Sequence, residues 1–335
     1  SSGFTFGEIS KGAKILINDG RIQLEVLKKI NPHSIQVKVL IGGNVERGKG
    51  VNFPGIGIDM PPLTDQDIED LSLAIDEGAD WIALSFVRSY EDKIAVDSIL
   101  KDKRVNIPII AKIEKWEALD HLDKIIDTFD GVMVARGDLG VEIPQEQVPL
   151  LQKKIISMAN KAGKPVIIAT QLLETMIESP TPTRAEISDI ANAIFDGTDA
   201  LLVTGETAVG KFPEKVIEVL KKVIIETEGT IDFNNMLQPI GHEHHTADAI
   251  SHATCQIAND MNIDIILSLT HSGSTARMIA RYKPSADIVA LTPIEKTYKI
   301  GIINNSDNDR DVYLQKYDDA YGSLTKVPEI SERAS

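Results

Sequence analysis

Cysteine and long hydrophobic runs are scarce in this sequence. These two features argue against a disulfide-stabilised protein and against a membrane-spanning one. The 335 residues include a single cysteine, Cys255, so no disulfide can form within the chain, which favours a reducing compartment. The apolar runs have the length of buried strands, well short of the roughly 20 residues that span a bilayer. Residues 1–7 lack the charged and hydrophobic pattern of a signal peptide. We therefore expect a soluble, cytoplasmic protein with no membrane partner.

Basic residues are outnumbered by acidic ones. The chain carries 35 Lys and Arg against 50 Asp and Glu, a formal net charge of -15. Such a surface repels nucleic-acid phosphates, so we expect no nucleic-acid partner. A locally positive pocket for a small phosphorylated molecule remains compatible with this charge. Hydrophobic residues at 42% are ordinary for a folded protein, which argues against disorder.

Turn residues and periodicity divide the chain into three regions. Alternating apolar residues predict a small β unit within residues 1–52, followed by a linker rich in glycine and proline. Residues 53–230 alternate short apolar runs with helical spacing and predict an α/β unit. Residues 246–335 predict a second α/β unit. Its tail from 304 onward is rich in Asn, Asp and Ser and has no periodicity that predicts an element.

The middle region reads as repeated strand-then-helix units. The predicted strands are Asp80–Phe86, Pro108–Ile113, Gly131–Ala135, Pro165–Thr170 and Ala200–Thr204. The predicted helices include Asp65–Glu77, Trp116–Thr128, Gln147–Ala162 and Glu214–Glu228, with a capping box opening another at Thr183. All-apolar strands of this kind are typical of a parallel sheet buried on both faces. The units fit either a barrel or an open doubly wound sheet.

Charged residues lie at the carboxyl ends of two consecutive predicted strands. Lys112 and Glu114 end one strand, and Asp138 follows the next. Parallel α/β proteins place their active sites at the carboxyl ends of strands. Two carboxylates with open positions are how Mg²⁺ or Mn²⁺ is held beside a phosphorylated substrate, and Lys112 would stabilise charge on a transferring group or an enolate. A solvated ion pair and a helix cap at Asp138 are the plain alternatives.

A predicted anion-binding loop lies in the carboxyl-terminal region. A predicted strand ending at Thr270 runs into a loop of hydroxyl residues and glycine, and a helix follows. This segment comprises Thr270, Ser272, Gly273, Ser274 and Thr275. Hydroxyls and free N–H groups at a helix start form a phosphate cradle. An ordinary Ser/Thr helix cap would have the same sequence.

Five collinear blocks resemble the pyruvate kinase family. They are IIAKIEKWEAL (109–119), MVARGDLGVEIP (133–144), GKPVIIATQLLETM (163–176), SPTPTRAEISDIANAIFDGTDA (179–200) and GETAVGKFP (205–213). The resemblance covers roughly residues 10 to 297. It implies a (β/α)8 TIM-type barrel of which strands four to eight are present, a small β lid domain and a carboxyl-terminal α/β effector domain. The implied reaction is glycolytic phosphoryl transfer from phosphoenolpyruvate to ADP, giving pyruvate and ATP.

The resemblance also implies roles for individual residues. Glu114 and Asp138 would ligate Mg²⁺ or Mn²⁺, and Lys112 would stabilise the phosphoryl group and the enolate oxygen. Backbone N–H groups of Arg136 and Gly137, at the opening of a short helix, would hold the substrate carboxylate. The implied substrate-binding set is Ala135, Arg136, Gly137, Asp138 and Thr170. Thr170 would also help relay a proton, together with the hydroxyl of Thr204, which stands where the family usually has Ser.

The resemblance also implies a nucleotide-binding site, an effector-binding site and an oligomeric state. Asp19 and Lys49 match lid residues that approach the ATP or ADP phosphates, and residues 270–275 resemble the 6-phosphate pocket of a sugar-phosphate effector site. The family assembles as a homotetramer, which we expect here. It also uses K⁺, whose ligand strands are absent from this sequence.

Three departures keep other interpretations open. The barrel's first three strands are missing, the tail after Thr297 matches nothing further in the family, and Thr204 adds a methyl group. A catalytically incompetent fragment or pseudoenzyme, with exposed strand edges, would fit these departures. The metal-binding residues alone would also fit a metal-dependent, enolate-stabilising lyase of the citramalyl or aldolase kind.

Overall fold

The chain forms two compact units. The computed structural model describes residues 9–18, 20–45, 50–56, 61–231 and 246–294, together with the backbone of 312–316. The first unit comprises residues 1–244 and the second residues 245–335. Among the described helices, none combines the length and apolar character that crossing a membrane requires.

The first unit opens with a small antiparallel sheet of four strands in the order β3-β2-β1-β4. The strands are β1 (Lys14–Ile17), β2 (Ile22–Asn31), β3 (Ser34–Ile41) and β4 (Val51–Asn52). The predicted alternation holds, because Ile15 and Val26 are buried in a small core with Ile9. The short strand β4 pairs with β1, with Leu16 opposite Asn52.

A parallel sheet of five strands follows in the same unit. The strands are β5 (Ile82–Leu84), β6 (Ile109–Ile113), β7 (Gly131–Ala135), β8 (Val166–Ala169) and β9 (Ala200–Leu202). Their spatial order is β5-β6-β7-β8-β9, so every strand lies beside its predecessor. A doubly wound sheet would reverse direction at a switch point, whereas a barrel adds each strand next to the last. The order therefore confirms the barrel-type arrangement of the predicted strands.

Helices connect these strands. They are α1 (Asp65–Asp76), α2 (Asp92–Asp102), α3 (Leu122–Thr128), α4 (Arg136–Glu142), α5 (Val148–Ala162), α6 (Arg184–Phe195), α7 (Gly205–Ala208) and α8 (Pro213–Glu228). The capping box predicted at Thr183 is present, and its side chain accepts from the Glu186 N–H. The single helix predicted over Trp116–Thr128 is instead a 3₁₀ helix, Trp116–His121, followed by α3.

Both faces of the three central strands, β6, β7 and β8, are buried, as the all-apolar strands predict. Ile109, Ala111 and Ile113 of β6 pack in the large core together with the helices. Ile110 between them points to the other face, where it joins Met133 in a smaller cluster. Burial on both faces fixes the strand register, because a one-residue slip would turn every side chain to the opposite face. The polar residues after β6 and β7 therefore lie at one edge of the sheet.

The second unit contains a parallel sheet in the order β10-β11-β12. Its elements are α9 (Thr246–Asp260), β10 (Ile265–Leu269), α10 (Ser274–Ala280), β11 (Asp287–Thr292) and β12 (Val312–Lys316). The elements before residue 293 form the second α/β unit that the sequence predicts, including a strand and a helix on either side of residues 270–273. Strand β12 lies in the tail, where the sequence predicted no element, and its backbone pairs with β11, Ile288 opposite Val312. Pairing with the neighbouring strand accounts for β12, which the local periodicity of the sequence did not predict.

Candidate active site

Lys112 and Glu114 form an ion pair at the carboxyl end of β6. Lys112 Nζ lies 2.7 Å from Glu114 Oε1 and donates to Ser85 Oγ at 2.8 Å. The Glu114 side chain is only 1% exposed, whereas that of Lys112 is 25% exposed. Glu114 Oε1 has no hydrogen bond of good geometry within the described ranges, although the carboxylate is buried. A buried carboxylate oxygen in this condition suits coordination of a hard cation.

The other oxygen of Glu114 fixes the neighbouring strand end. Glu114 Oε2 accepts from the backbone N–H of Phe86 at 2.7 Å. Phe86 follows β5 and has a φ of 56°, a left-handed conformation that is uncommon for a bulky residue. Such strain persists where surrounding contacts hold it and clusters at functional sites. Glu114 is therefore oriented by the backbone of β5 as well as by Lys112.

Asp138 lies at the same edge of the sheet as Glu114. Strands β6 and β7 are adjacent, with Ile113 opposite Val134, which confirms the adjacency that the predicted site requires. Helix α4 starts directly at Arg136 and places half-buried Asp138 in its first turn. No group of three or more His, Cys, Asp and Glu side chains with metal-binding geometry occurs in the parts of the chain that the structure describes. Two carboxylates fit a cation that takes its other ligands from substrate and water.

Arg136 uses its side chain to build the next strand end. The guanidinium is buried and donates to the Thr170 carbonyl from Nε at 3.2 Å and from Nη2 at 2.9 Å. Nη2 also donates to the Gln171 carbonyl at 2.9 Å, and Nη1 contacts Asp189 Oδ2 of α6 at 2.5 Å. The sequence had suggested a role for the Arg136 backbone alone. The structural role of its side chain, and the part played by Asp189, were missed.

Thr170 contacts Gly137 across the strand ends. The Gly137 N–H donates to Thr170 Oγ1 at 2.8 Å, and that hydroxyl donates to the Ala169 carbonyl at 2.7 Å. A side chain at position 137 would approach Thr170 Oγ1 to 3.3 Å, so glycine allows this close contact. The structure thus brings together two of the predicted substrate-binding residues, beside buried Ala135.

Glu206 joins the ends of β8 and β9. Its side chain is buried, and Oε1 accepts from the Leu173 N–H at 3.1 Å while Oε2 accepts from the Thr204 N–H at 3.0 Å. The carboxylate therefore fixes the backbone that carries the exposed side chain of Thr204. Sequence analysis did not single out Glu206, because an isolated acidic residue before a short helix gives no sign of burial.

Two predicted nucleotide residues, Asp19 and Lys49, lie outside the described residues. The predicted effector residues lie in the second unit, after β10. Thr270 is buried and its Oγ1 has no hydrogen-bond partner within the described ranges, while Ser272 Oγ donates to Ser274 Oγ at 3.0 Å. Gly273 has a φ of 77° at the start of α10, and Thr275 is exposed. The loop thus presents hydroxyls at the helix start, as its sequence suggested.

Comparison with known proteins gives matches over most of the chain. The family model described as the pyruvate kinase barrel domain matches residues 4–217, and the model described as the pyruvate kinase alpha/beta domain matches residues 248–326. The second match extends beyond residue 297, so the expectation that the tail resembles nothing in the family is wrong. The relationship of β12 to β11 agrees with this match.

Individual proteins agree with the family models. Pyruvate kinase 2 of Synechocystis sp. is 44% identical over 290 residues, which cover 85% of this chain and 48% of that protein. Pyruvate kinase of Thermotoga maritima is 47% identical over 294 residues, covering 87% of this chain and 62% of that protein. A crystal structure of a pyruvate kinase from Cryptosporidium parvum superposes with a TM-score of 0.85 at 36% identity, covering 92% of this chain and 64% of that one. The chain spans about half the length of the first of these relatives.

Proposed function

The chain belongs to the pyruvate kinase family, and we propose that the protein carrying it transfers a phosphoryl group from phosphoenolpyruvate to ADP. The bond between phosphorus and the enol oxygen breaks, and a bond to a β-phosphate oxygen of ADP forms. The enolate that remains takes up a proton at its methylene carbon and becomes pyruvate. The observation that carries this proposal is the Lys112–Glu114 pair of 2.7 Å at the strand edge that also carries Asp138.

Glu114 and Asp138 would hold the divalent cation, Mg²⁺ or Mn²⁺. When bound, the cation neutralises charge on the phosphoryl oxygens and on the enolate. Support for Glu114 comes from its burial and from Oε1, whose contact is the Lys112 ammonium rather than a hydrogen-bond donor of good geometry. The Phe86 N–H holds Oε2, so the carboxylate needs little reorganisation to act as a ligand.

Lys112 would stabilise the negative charge that moves from the phosphoryl group to the enolate oxygen. Its ammonium is held by Glu114 and Ser85 at the sheet edge, a fixed position that costs little reorganisation during reaction. A pair of opposite charges at this place also keeps the net local charge small before substrate binds. That balance favours entry of an anionic substrate into an otherwise acidic protein.

The start of α4 would bind the substrate carboxylate through the backbone of Arg136 and Gly137. The Gly137 N–H already donates to Thr170 Oγ1, so an incoming carboxylate oxygen would share or replace this hydroxyl. Thr170 would then contact the substrate and pass a proton towards the enolate carbon, with Thr204 as the second hydroxyl of the relay. The buried Glu206 supports this arrangement by fixing the Thr204 backbone.

The remaining assignments follow from the family. Asp19 and Lys49 would contact the nucleotide from a lid at residues 1–52, closing on a barrel at 53–230. The carboxyl-terminal part at 246–335 would bind a phosphorylated effector at Thr270, Ser272, Gly273, Ser274 and Thr275. A homotetramer completes the proposal. The buried hydroxyl of Thr270 has no hydrogen-bond partner among the described residues, and this supports the effector assignment because an anion would supply one.

A coupled assay of pyruvate formation tests the proposal. Phosphoenolpyruvate, ADP and Mg²⁺ are supplied, and the rate is compared with that of Lys112→Met. We expect loss of at least about 10²-fold in turnover, since removing one fixed donor from a transition state has effects of this size. Lys103→Met, which alters an exposed lysine paired with Asp76, is the matched control and should retain activity.

Two outcomes contradict the proposal. Equal turnover in Lys112→Met and Lys103→Met would remove Lys112 from the chemistry. Failure of the unaltered protein to form pyruvate, while Glu114→Gln still abolishes Mn²⁺ binding, would leave a metal-binding protein without the proposed activity.

A further inference from the structure

Glu142 connects the small sheet to the rim of the barrel. Its side chain is 1% exposed and lies at the carboxyl end of α4. Oε1 accepts from Lys115 Nζ at 2.5 Å and from Asn52 Nδ2 at 3.0 Å. Asn52 belongs to β4 of the small sheet, whereas Lys115 follows Glu114 at the end of β6. One buried carboxylate oxygen therefore joins three parts of the molecule.

A second contact between the small sheet and the barrel, within the described residues, is of a weaker kind. Arg21 and Glu174 lie 3.8 Å apart, with side chains 71% and 52% exposed. Exposed pairs of this type contribute little, because solvent screens them and ordering both side chains costs entropy. A buried, charge-assisted contact is stronger, and losing one partner leaves a desolvated group. Of these two contacts, that of Glu142 is the stronger.

We propose that Glu142, held by Lys115, is a positioning residue that docks β4 and thereby sets the small sheet against the catalytic rim. Asn52 pairs through its backbone with Leu16 of β1 and through its side chain with Glu142, so any shift of β4 moves the sheet. Lys49 precedes Asn52 by three positions in the sequence. The contact would therefore control where the nucleotide-binding part of the small sheet meets the barrel.

Lys115 extends the connection towards the metal-binding residues. Its Nζ lies 5.8 Å from the ring centroid of Phe86, a distance typical of a cation–π contact. The backbone N–H of Phe86 donates to Glu114. The sequence Glu114–Lys115 thus places a proposed metal ligand next to the residue that holds Glu142. The placement of β4 and that of Glu114 depend on one set of contacts.

Hydrogen exchange of the intact chain tests the docking without requiring activity. In Asn52→Ala, Lys115 still neutralises Glu142, so the barrel should remain folded while β4 loses its anchor. We expect exchange in peptides covering residues 14–18 and 50–52 to accelerate about tenfold, the effect of losing one charge-assisted hydrogen bond. Peptides covering β6 to β8 should exchange as in the unaltered chain. Asn44→Ala, an exposed position in the same sheet region, is the matched control.

Glu142→Gln gives a second variant, with exposed Glu146→Gln as its control. It removes the charge that holds Lys115 and should accelerate the same peptides. Unchanged protection of residues 14–18 and 50–52 in both Asn52→Ala and Glu142→Gln would overturn the proposal. Equal acceleration in Asn44→Ala would overturn it as well, since the effect would then not depend on Glu142.

A kinetic measurement extends the test and rests on the proposed function. With turnover established, Asn52→Ala should raise the KM for ADP severalfold while the KM for phosphoenolpyruvate stays near its original value. A purely structural role would lower the amount of active protein without separating the two constants. If the intact protein forms no pyruvate, the exchange result still decides the docking role, and only the proposed reaction fails.

Discussion

The buried guanidinium of Arg136 holds the backbone of Thr170, donating twice to its carbonyl oxygen at 3.2 and 2.9 Å. Thr170 and Gln171 have φ values of 66° and 54°, two consecutive left-handed residues that are not glycine. Each such conformation costs about 1–3 kcal/mol and persists only when its surroundings impose it. Arg136 supplies that constraint, because Nη2 also binds the Gln171 carbonyl. The turn keeps the Thr170 hydroxyl against the Gly137 N–H.

Replacing Arg136 by lysine should destabilise the first unit. A lysine ammonium cannot reproduce the planar fork, so at least two of the contacts to Thr170, Gln171 and Asp189 are lost. Hydrogen bonds of charged groups contribute about 1.5–3 kcal/mol each, so we expect the urea midpoint to fall by about 1 M. Arg104→Lys changes an exposed arginine and serves as control. Identical midpoints for the two variants would contradict the role given to Arg136.

Glu206→Gln should disturb the rim between β8 and β9. The carboxylate accepts from both the Leu173 and the Thr204 N–H, and an amide offers one acceptor oxygen only. One buried N–H then faces an NH₂ group, at a cost of about 1–3 kcal/mol. Chemical denaturation should show this loss, and pyruvate formation should fall through displacement of Thr204. Glu214→Gln, at an exposed position, should behave as the unaltered chain; a similar loss there would remove the assignment to Glu206.

Strands were more predictable than the contacts that connect them. The range Gly131–Ala135 agrees with the sequence prediction because every residue in it is buried, so apolar character and turn residues mark both ends. Helix α4 was expected from the family resemblance alone, because Gly137 and Gly140 lower its intrinsic helix propensity. Its backbone and that of β12 are held by neighbours distant in sequence. The local sequence around these elements does not indicate which distant residues they will contact.

The residues of the candidate site likewise divide into those that the sequence indicated and those that only the structure identified. Lys112, Glu114 and Asp138 were singled out because they lie at the carboxyl ends of predicted strands, where parallel α/β proteins place their active sites. Glu142 and Glu206 were missed, because surface acids are common in a chain with 50 Asp and Glu. Only the structure shows that these two carboxylates are buried and bind backbone or side chains across the rim.

Glu186 should make the thermal stability of the first unit depend on pH in the acid range. Burial raises the pKa of Glu186, but hydrogen bonds from Thr175 and Thr183 outweigh it and lower the pKa below its ordinary value of 4.5. A carboxyl with a lowered pKa stabilises the fold above its unfolded-state pKa, and this contribution is lost as the pH falls through the folded-state pKa. Glu186→Gln should therefore melt about 2 °C lower at pH 7, a small shift because solvent reaches this carboxylate.

The pH dependence separates the charge of Glu186 from its packing. The difference in Tm between Glu186→Gln and the unaltered chain should shrink as the pH is lowered through and below 4.5. Exposed Glu218→Gln should show no such trend. A difference that stays constant down to pH 3 would mean that the ionised form of Glu186 is not what stabilises the capping box.

Cys255 should be nearly unreactive until the second unit opens. The thiol is fully buried in α9 and contacts the Ile279 carbonyl of α10 at 3.6 Å, and burial raises its pKa to about 12. At pH 8 roughly 10⁻⁴ of the thiol is then ionised, and only the thiolate attacks a disulfide reagent. Because the chain has one cysteine, release of thionitrobenzoate from Ellman's reagent reports on this site alone. We expect labelling at least about 10³-fold slower than in 6 M urea.

The double variant Cys255→Ala with Gln256→Cys moves the thiol to an exposed position of the same helix and should react at once. Fast, stoichiometric labelling of the unaltered chain at pH 8 would show that α9 and α10 separate in the native protein, since a thiol held between them offers the reagent no other route.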